Sequence, residues 1–109
     1  MMKKYALVIL FFLLSEQAYS YDGWSKGSIN NIRLQYARIL ITQENATNPG
    51  NCSNTEYLHM AQGEAVYLQN MYSAILTAYA TKRPVQLALS GCSDGGKNGY
   101  PVITQVWVL

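Results

Sequence analysis

The chain contains only two cysteines, Cys52 in the stretch NPGNCSNTEY and Cys92 in LALSGCSDGG, and a single histidine, His59. A catalytic thiolate needs a base beside it, and spacing gives His59 no acidic partner to orient it. A zinc site needs three or four ligands, which these residues supply only if a carboxylate joins them. Two cysteines in one small exported domain typically pair, so we expect a Cys52–Cys92 disulfide, no metal and no cofactor.

The carboxylates beyond residue 20 are the candidates for general acid and base chemistry. They are Asp22, Glu44, Glu56, Glu64 and Asp94. They fall in different loops and element ends, and no spacing pairs two of them as a glycosidase requires. We therefore predict that the protein is not an enzyme.

Residues 91–98 have the form G-x-x-x-x-G-K-N, one residue short of a phosphate-binding loop. Such a loop needs a Ser or Thr hydroxyl after the lysine and then a helix, whereas here Asn98 follows the lysine and Pro101 leads into a strand. The segment is more typical of a hairpin loop rich in Gly, Asn and Asp.

The first twenty residues determine the expected compartment. A pair of lysines, an apolar block at residues 5–14 and a polar stretch precede Ala-Tyr-Ser at residues 18–20. This is the layout of a secretory signal peptide, and the block is too short for a helix crossing a bilayer of about 30 Å. We interpret residues 1–20 as a signal peptide and residues 21–109 as one domain, secreted or periplasmic, without a membrane span. The alternative is a retained N-terminal anchor or a buried first helix.

Charge and size limit the partners and the source of stability. The formal net charge is +2, and beyond residue 20 no run of basic residues exceeds two, so no nucleic acid is expected as a partner. A domain this small buries a modest core, which makes a crosslink useful. The loop that the disulfide closes, about 40 residues, corresponds to roughly 4 kcal/mol of stabilisation.

Hydrophobic periodicity predicts the elements that carry these residues. Residues 28–43 are β-rich with a tight turn or a bulge at Gln35-Tyr36, residues 44–55 form a polar loop, and residues 56–60 form a short strand. Apolar residues at three- and four-residue steps predict an amphipathic helix over residues 64–82. Its expected buried face includes Leu68, Tyr72, Ile75 and Tyr79.

Two more strands follow the helix, which Pro84 stops. Residues 84–90 place Val85, Leu87 and Leu89 on one side, and residues 102–109 form a β-branched strand. One helix between the third and fourth of five strands predicts a mainly-β α+β domain, an OB-fold-like five-stranded barrel. The alternative is an open sheet with the helix across one face.

Short motifs in these elements resemble two groups of proteins. Residues 38–43 (RILITQ), the Ala- and Tyr-rich helix and residues 81–87 (TKRPVQL) resemble the pentameric B subunits of subtilase-cytotoxin and pertussis-like AB5 toxins. The chain also resembles small exported bacterial proteins of unassigned function that carry an N-P-x-x-C loop and a later G-C pair, here at residues 48–52 and 91–92. This second resemblance covers more of the chain.

The toxin resemblance implies a secreted, non-catalytic subunit that forms a ring of five, joins a catalytic A subunit and binds cell-surface glycans. The chain departs from that pattern at Ala37, where those subunits carry a small hydroxyl residue. Arg38 beside it is either a carboxylate clamp or a solvated surface residue.

The expected function is that of a binding module, because an OB-type barrel presents a groove and rigid amphipathic rings suit sugar faces and protein partners. The candidate ligand-binding residues are Tyr36, Arg38, Tyr57, Tyr100 and Trp107. The alternatives are an enzyme, which lacks a catalytic constellation, and an exported structural or inhibitory protein that acts through protein contacts.

Overall fold

A computed structural model describes residues 22–95 and 98–109 of the chain. Within these ranges strands and helix follow one another in the order expected from the sequence. The elements are β1 (Gly23–Gln35), β2 (Arg38–Gln43), β3 (Leu58–Ala61), α1 (Val66–Thr81), β4 (Pro84–Cys92) and β5 (Pro101–Val108). The predicted signal peptide lies outside the described residues.

The five strands close into a ring in the order β1-β2-β3-β5-β4. β1 pairs twice, antiparallel to β4 through residues 23–28 and antiparallel to β2 through residues 29–35. β3 and β5 run parallel and meet at one bridge, between His59 and Val102, which closes the ring. The predicted mainly-β, OB-like class with one helix between β3 and β4 is therefore confirmed, and the closed ring decides against the open sheet.

A two-residue turn, Tyr36 and Ala37, joins β1 to β2, one residue beyond the predicted Gln35-Tyr36. Ala37 has φ +61°, the left-handed conformation that a type II turn requires at its second central residue. Because Gln35 pairs with Arg38, the turn also sets the register of the whole β1–β2 pair.

Inward-facing side chains of the strands and one face of the helix form the core. Its members are Ile29, Ile39, Ile41, Leu58, Met60, Ile75, Ala78, Val85, Leu87, Leu89 and Ile103. Burial of each large aliphatic side chain contributes about 1.5–3 kcal/mol, so this cluster is the main source of stability. The predicted inward row of β4, residues 85, 87 and 89, is confirmed.

Helix α1 is shorter than the predicted residues 64–82, and its buried face is narrower. The N-cap residue, Ala65, has no side chain that can accept a hydrogen bond, and Lys82 ends the helix in the left-handed conformation with φ +58°. Ile75 and Ala78 are the buried residues of the helix, whereas Tyr79 is 43 % exposed. The expectation that Tyr79 packs against the sheet was wrong, because the contact face is centred on residues 75 and 78.

A buried polar cluster holds β1, β2 and β4 together where β1 passes from one partner to the other. The Gln43 side-chain amide donates to the carbonyl oxygens of Ser25, Gly27 and Val85 at 3.2, 3.1 and 3.2 Å. The Ser25 hydroxyl donates to Gln43 Oε1 and accepts from the Thr47 backbone N–H. Because these polar groups are buried, each contact satisfies an atom that water does not reach.

Cys52 and Cys92 form the predicted disulfide, with their Cα atoms 5.7 Å apart. The bond fastens the loop between β2 and β3 to the end of β4. Disulfides persist in oxidising compartments, so this one indicates an extracytoplasmic location. Across residues 22–95 and 98–109, no helix combines the length and the apolar character needed to cross a membrane.

Candidate functional site

The outer face of β2 is the centre of the candidate site. Alternation along β2 turns Arg38 and Leu40 away from the core, and the strand register places Arg33 of β1 on one side of Leu40 and His59 of β3 on the other. Leu40 is nevertheless only 1 % exposed. Neighbouring side chains therefore cover Leu40 on the outer face.

Two tyrosine rings stand together on the same face. Tyr57 lies two residues before His59, and Tyr100 lies two residues before Val102. Because His59 and Val102 form a parallel bridge, this spacing brings the two tyrosines side by side. Their ring centroids are 5.8 Å apart at an interplanar angle of 82°, an edge-to-face arrangement.

A guanidinium group flanks each tyrosine. Arg33 Nη1 donates to the Tyr57 hydroxyl at 3.2 Å, and Arg33 Cζ lies 5.9 Å from the centroid of the Tyr57 ring. Arg38 Cζ lies 5.7 Å from the centroid of the Tyr100 ring, and Arg38 Nε donates to Gln35 Oε1 at 2.8 Å. These distances are typical of cation–π contacts.

We call Arg33, Arg38, Tyr57, His59 and Tyr100 the outer-face cluster. Within the described residues neither of its guanidinium groups forms an ion pair with a carboxylate; their contacts are with neutral side chains. Among the described residues, these two positive charges thus have no carboxylate within ion-pair distance. Such a surface favours an anionic or hydroxyl-rich ligand, since guanidinium groups donate several hydrogen bonds in a fixed plane.

Loop hydrogen bonds hold Tyr57 in place. Asn54 Oδ1 accepts from the Glu56 backbone N–H at 3.1 Å, a local side-chain turn directly before Tyr57. Further back, the Asn48 side chain donates to the Cys52 carbonyl at 2.8 Å and accepts from the Cys52 N–H at 2.9 Å. The N-P-x-x-C spacing therefore has a structural basis, because the asparagine side chain closes the turn that presents the disulfide.

Ser93 holds Tyr100 in the same way. The Ser93 N–H donates to the Tyr100 carbonyl at 2.8 Å, and the Ser93 hydroxyl accepts from the Tyr100 N–H at 2.8 Å. Gly99 permits this approach, since a Cβ atom there would lie 2.0 Å from the Ser93 carbonyl oxygen. A side chain at residue 99 would thus push Tyr100 away from the cluster.

His59 lies within the cluster with an unsatisfied nitrogen. Its Nδ1 atom is buried and has no hydrogen-bond partner among the described residues. Burial lowers the pKa of His59 from its ordinary value, and the nearby charge of Arg38 lowers it further, while Asp94 acts in the opposite direction. The imidazole is therefore neutral at neutral pH.

The structure brings together three of the five candidate residues and separates the other two. Arg38, Tyr57 and Tyr100 belong to the outer-face cluster. Tyr36 is 99 % exposed at the tip of the β1–β2 turn. Trp107 is 60 % exposed near the end of β5, opposite Gln86, and five residues beyond Val102, which corresponds to roughly 17 Å along a strand.

Sequence reasoning missed Arg33 and His59 as members of the site. A signal for Arg33 was present, because a two-residue turn after Gln35 pairs Gln35 with Arg38 and puts Arg33 on the same face as Arg38. His59 carried no such signal, since its place depends on the contact between β3 and β5.

The remaining chemistry-bearing residues form no second constellation in the described part of the chain. All five candidate carboxylates are exposed, and Asp22 accepts a hydrogen bond from the Gly91 N–H at 2.6 Å. No group of three or more His, Cys, Asp or Glu residues among those described could hold a metal ion. The phosphate-loop-like stretch forms a 3-10 turn at Ser93–Gly95, and residues 96–97 lie outside the described ranges.

Comparison with known proteins does not assign the chain to a family. No protein-family model matches the chain, and neither a curated protein nor a solved structure does.

Proposed function

We propose that the protein is a secreted or periplasmic, non-catalytic binding module whose outer-face cluster binds a glycan. The observation that carries the proposal is the row Arg33–Tyr57–Tyr100–Arg38, two aromatic rings flanked by guanidinium groups that lack a carboxylate partner among the described residues. Aromatic rings offer rigid apolar area to the C–H face of a sugar, and guanidinium groups hydrogen-bond its hydroxyl or acidic substituents.

The position of the cluster supports a binding role. Arg33, Arg38 and His59 lie on strands of a closed, disulfide-linked ring, and Tyr57 and Tyr100 directly precede β3 and β5 in loops held by hydrogen bonds. The side chains are therefore positioned before a ligand arrives, and little ordering is required on binding. With a formal net charge of +2 the chain has no broad positive field, so we do not propose nucleic acid as the ligand.

Several copies of such a site would bind better than one. A small exposed site holds a sugar weakly, and a homo-oligomer adds avidity without new contacts. Beyond the bridge at Val102, the side of β5 that faces β3 forms no strand ladder within the described residues, and a strand edge without a ladder is a common place for a second copy to pair. We propose a homo-oligomer on this basis, and a pentamer with a catalytic A subunit if the toxin resemblance holds.

A second candidate function is that of an exported structural or inhibitory protein that acts through protein contacts. It is favoured by exposed apolar side chains outside the cluster, Val66 and Tyr67 at the start of α1 and Trp107 on β5. Exposed aromatic and aliphatic groups of this kind are common in protein interfaces.

A glycan array tests the first function against the second. The mature protein would be labelled, applied to the array and compared with Tyr100→Ala and Trp107→Ala, two variants that each remove one aromatic ring from a different surface. We expect the wild type and Trp107→Ala to bind the same glycans and Tyr100→Ala to lose them.

The opposite pattern, with binding kept by Tyr100→Ala and lost by Trp107→Ala, would move the site to the β5 surface. Binding by none of the three proteins would favour the protein-contact function. Circular dichroism of each variant checks that a loss of binding is not a loss of fold.

A further inference from the structure

We propose that the outer-face cluster takes up a proton at His59 when it binds a carboxylate-bearing sugar, so that binding strengthens as the pH falls from neutral to mildly acidic. This inference rests on the proposed function. It adds that the ligand carries a negative charge and that pH regulates its binding. It starts from three observations: an enclosed imidazole nitrogen, two guanidinium groups that form no ion pair with the described residues, and their placement on one face.

The first observation concerns the position of His59. It occupies the middle of the row formed by Arg33, Leu40, His59 and Val102 across four strands. Its Nδ1 atom is enclosed and has no hydrogen-bond partner among the described residues. A buried nitrogen of this kind favours the neutral imidazole, because the charged form would add an unsatisfied donor.

The second observation concerns the charges that face His59. β1 contributes Arg33 and β2 contributes Arg38, both positive. The turn after β4 contributes Asp94, the one acid in the described part of the chain whose charge acts on the imidazole. Tyr57 and Tyr100, each two residues before the His59–Val102 bridge, add neutral rings to the same cluster. Helix α1 contributes no Asp, Glu, Lys, Arg or His.

The unliganded cluster therefore resists protonation of His59. A third positive charge would stand beside Arg33 and Arg38 with one exposed carboxylate to offset it. Burial and Arg38 keep the pKa of His59 below its ordinary value, so the free site is poised with the imidazole neutral at pH 7.

A bound carboxylate reverses this balance. Placed between the two guanidinium groups, it offsets the charge of Arg38 and brings a negative charge close to the imidazole, which raises the pKa of His59 in the complex. Because the complex then binds more protons than the free protein, affinity rises as the pH falls through the range between the two pKa values. A rise of one pKa unit corresponds to at most about a tenfold gain in affinity.

The test uses the fact that His59 is the only histidine in the chain. The imidazole C–H resonances of the oxidised mature protein would be followed by NMR from pH 4.5 to 8.5, alone, with glucuronate and with glucose. The two sugars share a pyranose ring and differ in the carboxylate. Sodium chloride keeps the ionic strength equal in all samples.

We expect glucuronate to raise the pKa of His59 and glucose to leave it unchanged. We expect the dissociation constant for glucuronate, measured from the Tyr57 and Tyr100 ring resonances, to fall about two- to tenfold between pH 7.5 and pH 5. His59→Gln, which keeps a polar side chain that does not titrate, should bind glucuronate with a constant that is nearly flat over this range.

Arg38→Gln provides a second variant, which leaves the imidazole of His59 itself unchanged. It should raise the pKa of His59 in the free protein and reduce the further rise caused by glucuronate. A rise of the same size in wild type and Arg38→Gln would overturn the role given to Arg38.

The inference and the proposed function fail in different ways. If both sugars shift the tyrosine resonances while the pKa of His59 stays constant, the cluster is a sugar site without proton linkage and this inference is wrong. If neither sugar at high concentration shifts any resonance of the cluster, both are wrong. A glucuronate affinity that weakens on acidification would overturn the inference alone.

Discussion

Removal of the Cys52–Cys92 disulfide should destabilise the domain by about 4 kcal/mol. The two cysteines are separated by 40 residues, and the chain-entropy treatment of a crosslink assigns that amount to a loop of this length. The effect is large for a domain whose total stability is expected near the lower end of about 5–15 kcal/mol. The perturbation is the double variant Cys52→Ala/Cys92→Ala, which removes the bond without leaving a reactive thiol.

The assay is equilibrium unfolding in urea, followed by tryptophan fluorescence. The double variant should lose about 4 kcal/mol of unfolding free energy, and wild type kept in dithiothreitol should give the same curve as the double variant. Dithiothreitol should not change the double variant itself, which serves as the control for effects of the reductant.

The disulfide also positions the outer-face cluster. Cys52 precedes Tyr57 by five residues and Cys92 precedes Tyr100 by eight, so both tyrosines follow segments that the bond fastens together. Ligand affinity should therefore fall in any fraction of the double variant that remains folded. A loss of less than about 1 kcal/mol, with affinity unchanged, would refute the view that the bond carries both stability and site geometry.

Further predictions concern the buried polar cluster, the helix face and the histidine. Gln43→Leu should cost about 2–4 kcal/mol in urea unfolding because it leaves buried polar atoms unsatisfied, while Gln105→Leu on the exposed side of β5 should stay within about 1 kcal/mol. Ile75→Ala should cost about 2–5 kcal/mol and Gln69→Ala less than about 0.5 kcal/mol, and equal effects would contradict the helix face. Because the pKa of His59 is lowered in the fold, its contribution to stability is complete above about pH 6.5 and is lost as the pH falls. The unfolding free energy of His59→Gln should thus depend less on pH between 7 and 5 than that of wild type.

Local patterns in the sequence were sufficient to predict the order of the elements, although the prediction began β1 at residue 28 and missed residues 23–27, which pair with β4. The helix was recognised from its three- and four-residue apolar steps, and β4 from the alternation of Val85, Leu87 and Leu89. The disulfide followed from the cysteine count and the expected compartment. It was harder to predict how much of the helix packs against the sheet. Tyr79 fits the apolar period of the helix and yet lies at the margin of its buried face.

The candidate site could be predicted only in part, because it depends on contacts between distant segments. Tyr57 and Tyr100 were candidates as aromatic residues, but their contact follows from the single parallel bridge between β3 and β5, for which the sequence offers no local signal. The same bridge places His59 in the cluster. The place of Arg33 could have been predicted from the strand register that a two-residue turn sets. The sequence, however, left a bulge as an alternative to that turn.

The most direct test of the outer-face cluster as the ligand site is to map chemical shifts of the backbone amides while a glycan that binds on the array is added to the labelled mature protein. The account predicts that the largest changes fall on residues around Arg33, Arg38, Tyr57 and Tyr100, and that amides around Trp107 stay unchanged. Changes centred on Trp107 or on the start of α1, with the cluster unaffected, would contradict it.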